Sequence, residues 1–124
     1  MSLQSTHNTE MKPTIIACIP AYDEERTIAR VVIEVGRYVD KVIVCDDGSK
    51  DLTGEIAGRL GAEVIRHERN MGYGAALHTL FKRAREIDPD VMVVLLNPCI
   101  PVLHRDQLKP CSLIGLLGLH GRQV

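Results

Sequence analysis

Two acidic segments and one cationic, glycine-flanked segment hold the residue types that could do chemistry. Asp46 and Asp47 are adjacent, so on an extended chain their carboxylates start in different directions and need not share one task. One can orient a turn while the other faces a ligand, because an acid at a strand end can accept hydrogen bonds from a ribose or a base. Asp46-Asp47-Gly48-Ser49 is also ordinary composition for a turn with a helix cap, and position alone leaves both readings open. Asp23, Glu24 and Glu25 follow closely on Pro20. Glu24 is the ligand-facing candidate among them, and the alternative is three acids placed favourably at a helix start. Arg66, His67, Arg69 and Asn70 precede Gly72-Tyr73-Gly74. There cations and an amide meet a backbone free to approach a phosphate, with helix-start amides favouring an anion. A flexible surface turn would have the same composition.

Other chemistries lack their residues. No Gly-x-Gly-x-x-Gly follows the first apolar run, which argues against a dinucleotide-dependent oxidoreductase, and no Gly-Lys-Ser or Gly-Lys-Thr marks a nucleotide-triphosphate loop. The histidines at 7, 67, 78, 104 and 120 show no close metal spacing, and the cysteines at 18, 45, 99 and 111 form no Cys-x-x-Cys pair. Cys18 and Cys45 sit inside apolar runs, where a free thiol behaves as a small hydrophobe. A reducing, cytoplasmic compartment is the expectation.

The candidate segments need elements to position them, and the hydrophobic pattern supplies these. Thr14 to Ile19 is a β-branched, apolar first strand, expected to close at Pro20, which has no amide hydrogen for a ladder. Asp23 is the expected cap of a helix with Ile28, Val31, Val32 and Val35 on one face. Lys41 to Cys45 is a second strand ending on the two aspartates. Leu52, Ile56 and Leu60 mark a second helix, capped by Ser49 or Asp51 and ended by Gly61. Ala62 to Arg66 is a weaker strand; Leu77, Leu80, Phe81, Ala84 and Ile87 mark the buried face of a third helix, which Pro89 ends. Val91 to Leu96 is the continuous apolar run of a strand covered on both faces. Alternating strands and helices predict a three-layer α/β/α domain over residues 14–96, with a mostly parallel sheet. Ligands of such sheets collect beyond the strand carboxyl ends, where all three polar segments fall.

Composition bounds the rest. The 124 residues suit one domain, and a formal net charge of -1 gives no field to gather nucleic acid. No apolar stretch approaches the roughly 20 residues of a membrane span. Residues 1–13 are polar and read as a flexible arm without a signal-peptide pattern. Pro98, Pro101 and Pro110 break up residues 97–124, which read as an atypical tail that could cover a sheet edge. A phosphoacceptor receiver domain is disfavoured, since its paired acids would follow the first strand.

Three segments together resemble the family 2 glycosyltransferases, which have the GT-A fold, and especially those making polyprenyl-phosphate sugars such as dolichyl-phosphate mannose. They are Ile19-Pro20-Ala21-Tyr22-Asp23-Glu24-Glu25, the run from Val42 through Asp46-Asp47-Gly48-Ser49 to Thr53, and Arg69-Asn70-Met71-Gly72-Tyr73-Gly74-Ala75-Ala76. The resemblance spans Ile15 to about Leu95 and, together with the repeated crossovers, implies the strand order 3-2-1-4. It implies that Pro20, Tyr22 and Glu24 line a nucleotide pocket, that Asp47 accepts a hydrogen bond from the base, and that Asp46 supports the loop. Arg69, Asn70, Gly72 and Gly74 fall on the phosphate or sugar side. It further implies a nucleotide-sugar donor of the GDP-mannose or UDP-glucose type, inverting transfer to a polyprenyl phosphate or other acceptor, and Mg or Mn as cofactor. The family's Asp-x-Asp metal motif falls where this chain has Asn97-Pro98-Cys99, a poor match to the oxygen ligands of hard cations. Neither metal ligands nor a catalytic carboxylate are assigned, and residues 97–124 show no counterpart of the acceptor-binding half. A noncatalytic nucleotide-binding remnant paired with another subunit is the alternative, and self-association through an uncovered sheet edge is expected.

Overall fold

The computed structural model describes residues 12–95; most of the expected arm, the tail over 97–124, and with it Asn97 and Cys99, lie outside the described residues. Strands β1 (Ile15–Ala21), β2 (Lys41–Asp46), β3 (Glu63–Arg66) and β4 (Val91–Val94) alternate with helices α1 (Ile28–Gly36), α2 (Thr53–Arg59) and α3 (Tyr73–Ile87). All strand pairs are parallel, and the sheet runs β3-β2-β1-β4, the order that the crossovers and the family resemblance together imply.

The side-chain period of two sorts the strands onto two faces. Ala17, Ile19, Ala21, Val42 and Val44 meet Ile28, Val31 and Val32 of α1 and Ala57 of α2. Ile16, Cys18, Ile43, Cys45, Met92 and Val94 meet Ala76, Leu80 and Ala84 of α3. Both faces of β1 and β2 are therefore covered, which is why these strands read as unbroken apolar runs. Cys18 and Cys45 are fully buried, and burial pushes both thiols up to about 12, leaving them protonated packing groups.

Three local expectations are corrected. β1 does not close before Pro20; it continues through Pro20 and Ala21 alongside Cys45 and Asp46. The Ala21 carbonyl accepts from Asp47 on the β2 side, while the Cys18 carbonyl accepts from Leu95 on the β4 side. Alternation then turns the amide-less nitrogen of Pro20 toward β4, beyond the last β4 pair, Cys18 with Val94, so no ladder bond is lost. In α2 the expected Leu52 and Leu60 stripe is largely exposed, and Thr53, Gly54 and Ala57 are buried instead. The short helix presents its small residues to the sheet and permits close approach. Asp23 does not cap α1, whose N-cap is Thr27 with no side-chain cap bond. Among the described residues no helix is long and apolar enough to cross a membrane.

Candidate functional site

The register that sets Ala21 beside Asp46 brings the loops after β1 and β2 together, and their side chains lace them. Asp23, at φ +49°, donates its N–H to the Ser49 hydroxyl at 2.9 Å and accepts the Lys50 N–H on its carboxylate at 2.8 Å. The Glu24 N–H donates to the Thr53 hydroxyl at 2.7 Å, and that hydroxyl donates to Asp51. Glu25 accepts the Leu52 N–H at 3.1 Å, and Asp51 accepts the Glu25 N–H at 3.2 Å. Asp23 and Glu25 thus satisfy backbone donors of the neighbouring loop, a stronger use of a carboxylate than a solvent-exposed helix dipole provides. Asp51 also accepts the Thr53 N–H at 2.9 Å, yet neither it nor Ser49 caps α2 as expected: the N-cap is Leu52 with no side-chain cap bond, and the Ser49 hydroxyl accepts the Asp23 N–H instead.

Asp46 and Asp47 separate in role as adjacent residues must. Asp46 is fully buried; Oδ1 accepts the Ser49 N–H at 2.9 Å and Oδ2 pairs with Arg66 Nε at 3.0 Å, fixing the turn to the end of β3. Asp47 reaches across to the segment before α3. Its Oδ1 accepts the Met71 N–H at 2.9 Å and His67 Nδ1 at 2.8 Å, and its Oδ2 accepts the Gly72 N–H at 3.0 Å. Because a carboxylate only accepts, Nδ1 carries the proton in this contact, and Nε2 lies 2.7 Å from the Thr79 hydroxyl on α3. Burial disfavours the charge on Asp47, but the bonds from Met71, His67 and Gly72 outweigh it and hold its carboxyl below the usual range. Gly48, at φ +74°, lets the turn lie directly against the Arg69 and Asn70 backbone; a Cβ would collide with it.

An open pocket of about 260 Å³ lies between these loops. Pro20, Tyr22, Glu24, Asp47, Asn70 and Gly72 line it, so six of the residues expected from the sequence meet at one place. Asp46 stands behind the wall, while Arg69 and Gly74, both exposed, lie outside the lining. Burial raises the Glu24 carboxyl above its ordinary range; the bond from Thr27 opposes this, and the charges of Asp51 and Asp23 add to it. Ala21, Tyr73 and Ala76 complete the lining, and none of the three was expected there. Ala76 lies one helical turn after Gly72, where a small residue on the buried face of α3 leaves room, and it stands outside the apolar stripe of larger residues that marks this helix in the sequence. The buried relay through Thr53 was also missed, because a threonine next to Asp51 reads as turn composition.

The pocket can accept hydrogen bonds on two carboxylates from different strands, donate from the Asn70 amide, and offer the rings of Tyr22 and Tyr73. Among the described residues no three His, Cys, Asp or Glu side chains gather as a metal site.

The family model described as Glycosyl transferase family 2 matches residues 16–95. The chain is 40% identical over 80 residues to a dolichyl-phosphate hexose transferase of Haloferax volcanii, covering 63% of this chain and 32% of that protein. It is 36% identical over 97 residues to a UDP-N-acetylglucosamine–dolichyl-phosphate N-acetylglucosaminyltransferase of Methanococcus voltae, covering 64% and 39%. The chain thus spans well under half the length of these relatives. Among solved structures, it resembles glucosyl-3-phosphoglycerate synthase from Mycobacterium tuberculosis in complex with Mn²⁺, UDP-glucose and phosphoglyceric acid. That match has a TM-score of 0.55 at 31% identity and covers 67% of this chain and 32% of that one. The parallel sheet, the three loop segments and these likenesses agree: the chain belongs to glycosyl transferase family 2.

Proposed function

We propose that this chain supplies the donor-binding part of a glycosyltransferase, holding a nucleotide sugar of the GDP-mannose or UDP-glucose type for inverting transfer to a polyprenyl phosphate or another acceptor. The observation that carries this is the convergence of Glu24, Asp47, Asn70 and Gly72, from three separate loops, on one open pocket at the strand carboxyl ends. In this reading Pro20 and Tyr22 form the wall against which the nucleoside lies, Asp47 accepts from the base, and Asp46 holds the turn that carries Asp47. Glu24 accepts from the nucleoside, and Arg69, Asn70, Gly72 and Gly74 face the phosphate and sugar side. The leaving diphosphate develops negative charge in transfer, and donors that meet it better in the transition state than in the ground state accelerate the step. The dolichyl-phosphate names of two relatives support the acceptor class, and the UDP-glucose held by the structural neighbour supports the donor class.

Calorimetry of UDP and GDP with the full chain tests the reading. Binding of at least one nucleotide is expected, and Asp47→Ala should weaken it roughly 10- to 150-fold, the equivalent of about 1.5–3 kcal/mol for a bond to a charged carboxylate. Glu24→Gln should weaken it less, since that residue keeps an acceptor oxygen. Absence of binding by the wild type overturns the proposal. Self-association is part of the same reading: among the described residues β4 pairs only with β1, leaving an edge able to template another strand. Light scattering over a concentration series should show a species larger than the monomer.

A further inference from the structure

The hydrogen bonds already made to Asp47 limit which base the pocket can read. This rests on the donor-binding role proposed above and goes on to name the base. A carboxylate offers about four acceptor sites over its two oxygens. Three are taken from within the chain: Oδ1 by the Met71 N–H and by His67 Nδ1, Oδ2 by the Gly72 N–H. Oδ1 is thereby saturated, and one site remains, on Oδ2. His67 is held in this contact from its other side, with Nε2 2.7 Å from Thr79 Oγ1 and 3.6 Å from Cys45 Sγ, and its side chain is only 11% exposed. The arrangement is therefore built into the wall.

We propose that His67, with the Met71 and Gly72 amides, makes Asp47 a single-acceptor reader, so that the pocket selects an imide base of the uracil type over guanine. Uracil presents one N–H, set between two carbonyl oxygens, and that one donor matches the one free site. Guanine presents two adjacent donors, the ring N–H and the exocyclic amine, which suit a carboxylate with both oxygens open. Here the second donor meets a filled oxygen. Glu24 keeps open acceptor sites, with only its Oε2 accepting the Thr27 hydroxyl at 3.2 Å, but it stands in the loop after the neighbouring strand and in this proposal accepts from the ribose. A buried donor left without a partner weakens binding by about tenfold or more. His67 acts through Asp47 and is a specificity-positioning residue, outside the set of groups that touch the nucleotide.

Calorimetry of the full chain with UDP, GDP, inosine diphosphate and N3-methyl-UDP reads this out. UDP should bind about tenfold or more tighter than GDP, and methylation of the uracil N–H should cost a similar factor. Inosine diphosphate, which is guanosine diphosphate without the exocyclic amine, should bind at least about fivefold tighter than GDP. In His67→Ala, where Oδ1 regains a free site, the UDP-to-GDP affinity ratio should shrink several-fold, while His67→Gln, which keeps a donor, should preserve much of it. A merely structural role for His67 would weaken both nucleotides alike and leave the ratio unchanged. Equal or tighter binding of GDP by the wild type overturns the inference, as does an inosine nucleotide no tighter than GDP, which would point to size and not donor count. If the His67 variants do not fold, the four-ligand series on the wild type still decides. Failure of every nucleotide to bind would instead overturn the donor-binding reading beneath it.

Discussion

The two ends of β2 carry open pockets of nearly the same size, about 260 Å³ at the carboxyl end and about 230 Å³ at the amino end, yet they are chemically unlike. At the amino end the polar groups close on the fold itself. Asp40 accepts the Ile15 N–H at 2.7 Å, and Lys41 pairs with Glu63 at 2.6 Å; the rest of the wall is mostly apolar side chains and glycine from α1, α2 and β2. At the carboxyl end, three loops from different parts of the sequence deliver acceptors and an amide to one place, and the bonds that hold them leave some capacity unspent. Volume alone does not make a site. What separates the two ends is how many polar groups from separate loops converge: Glu24, Asp47 and Asn70 at the carboxyl end, against the sequence neighbours Asp40 and Lys41 at the amino end.

Glycine substitution gives the sharpest break between the ends. Gly48 combines φ +74° with a Cβ direction blocked by the Arg69 and Asn70 backbone, so neither side chain nor backbone can yield cheaply. Gly48→Ala should lose roughly 2–5 kcal/mol of stability, from overpacking together with left-handed strain. Gly36, at the end of α1 in the other pocket, has nothing within 4 Å of its Cβ direction. Gly36→Ala should be neutral or gain up to about 1 kcal/mol by restricting the unfolded chain. Denaturant unfolding of both variants checks this, and comparable losses would show that the loop at Gly48 can move aside.

Removing one aspartate at each end sharpens the comparison further. Asp47→Ala strips partners from the Met71 N–H and His67 Nδ1, while the Gly72 N–H keeps its 3.0 Å bond to the Asn70 side chain. A loss of roughly 2–4 kcal/mol is expected. Asp40→Ala removes one exposed bond to Ile15 and should cost about 1 kcal/mol with no change in nucleotide affinity. A nucleotide affinity that falls equally in the two variants would erase the distinction between the ends.

Most of this architecture was legible in the residues. The strand and helix order follows from apolar runs and periodic stripes, and the positions of the loops follow from where those runs stop. The failures share one cause. Asp23, Leu52 and Leu60 were assigned by local rules, whereas their neighbours in the fold decide: Asp23 serves the backbone of a loop 27 residues away, and α2 packs through Thr53, Gly54 and Ala57. Pro20 shows the same limit from the other side, because a proline is tolerated where the adjacent strand has ended. For the pocket, motif residues located its floor and rim. The partners that use up the acceptor sites of Asp47 could not be read from spacing, since they depend on how the chain from His67 to Gly72 folds over the turn.

The smallest effect expected concerns the edge of the sheet, beside the amino-end pocket, where Glu63 pairs with Lys41. Glu63 on β3 accepts from Arg83 of α3 and from Lys41 of β2, and these bonds hold its carboxyl down at about 2 against an ordinary value of 4.5. A depressed folded-state value means the contribution to stability is complete above about pH 4.5. As pH falls from there toward 2 the unfolded chain takes up the proton first, and the advantage of the folded state disappears. Glu63→Gln lacks this titration, so its melting temperature should lie about 2–5 °C below wild type at pH 7, a modest gap because the partners are partly exposed and screened. The gap should close between about pH 4.5 and 2. Asp47 and Asp51 also have lowered values and destabilise the protein in acid, but they are present in both proteins and cancel in the difference. A gap that stays constant down to pH 2 would mean that Glu63 contributes by packing, with no part played by its charge.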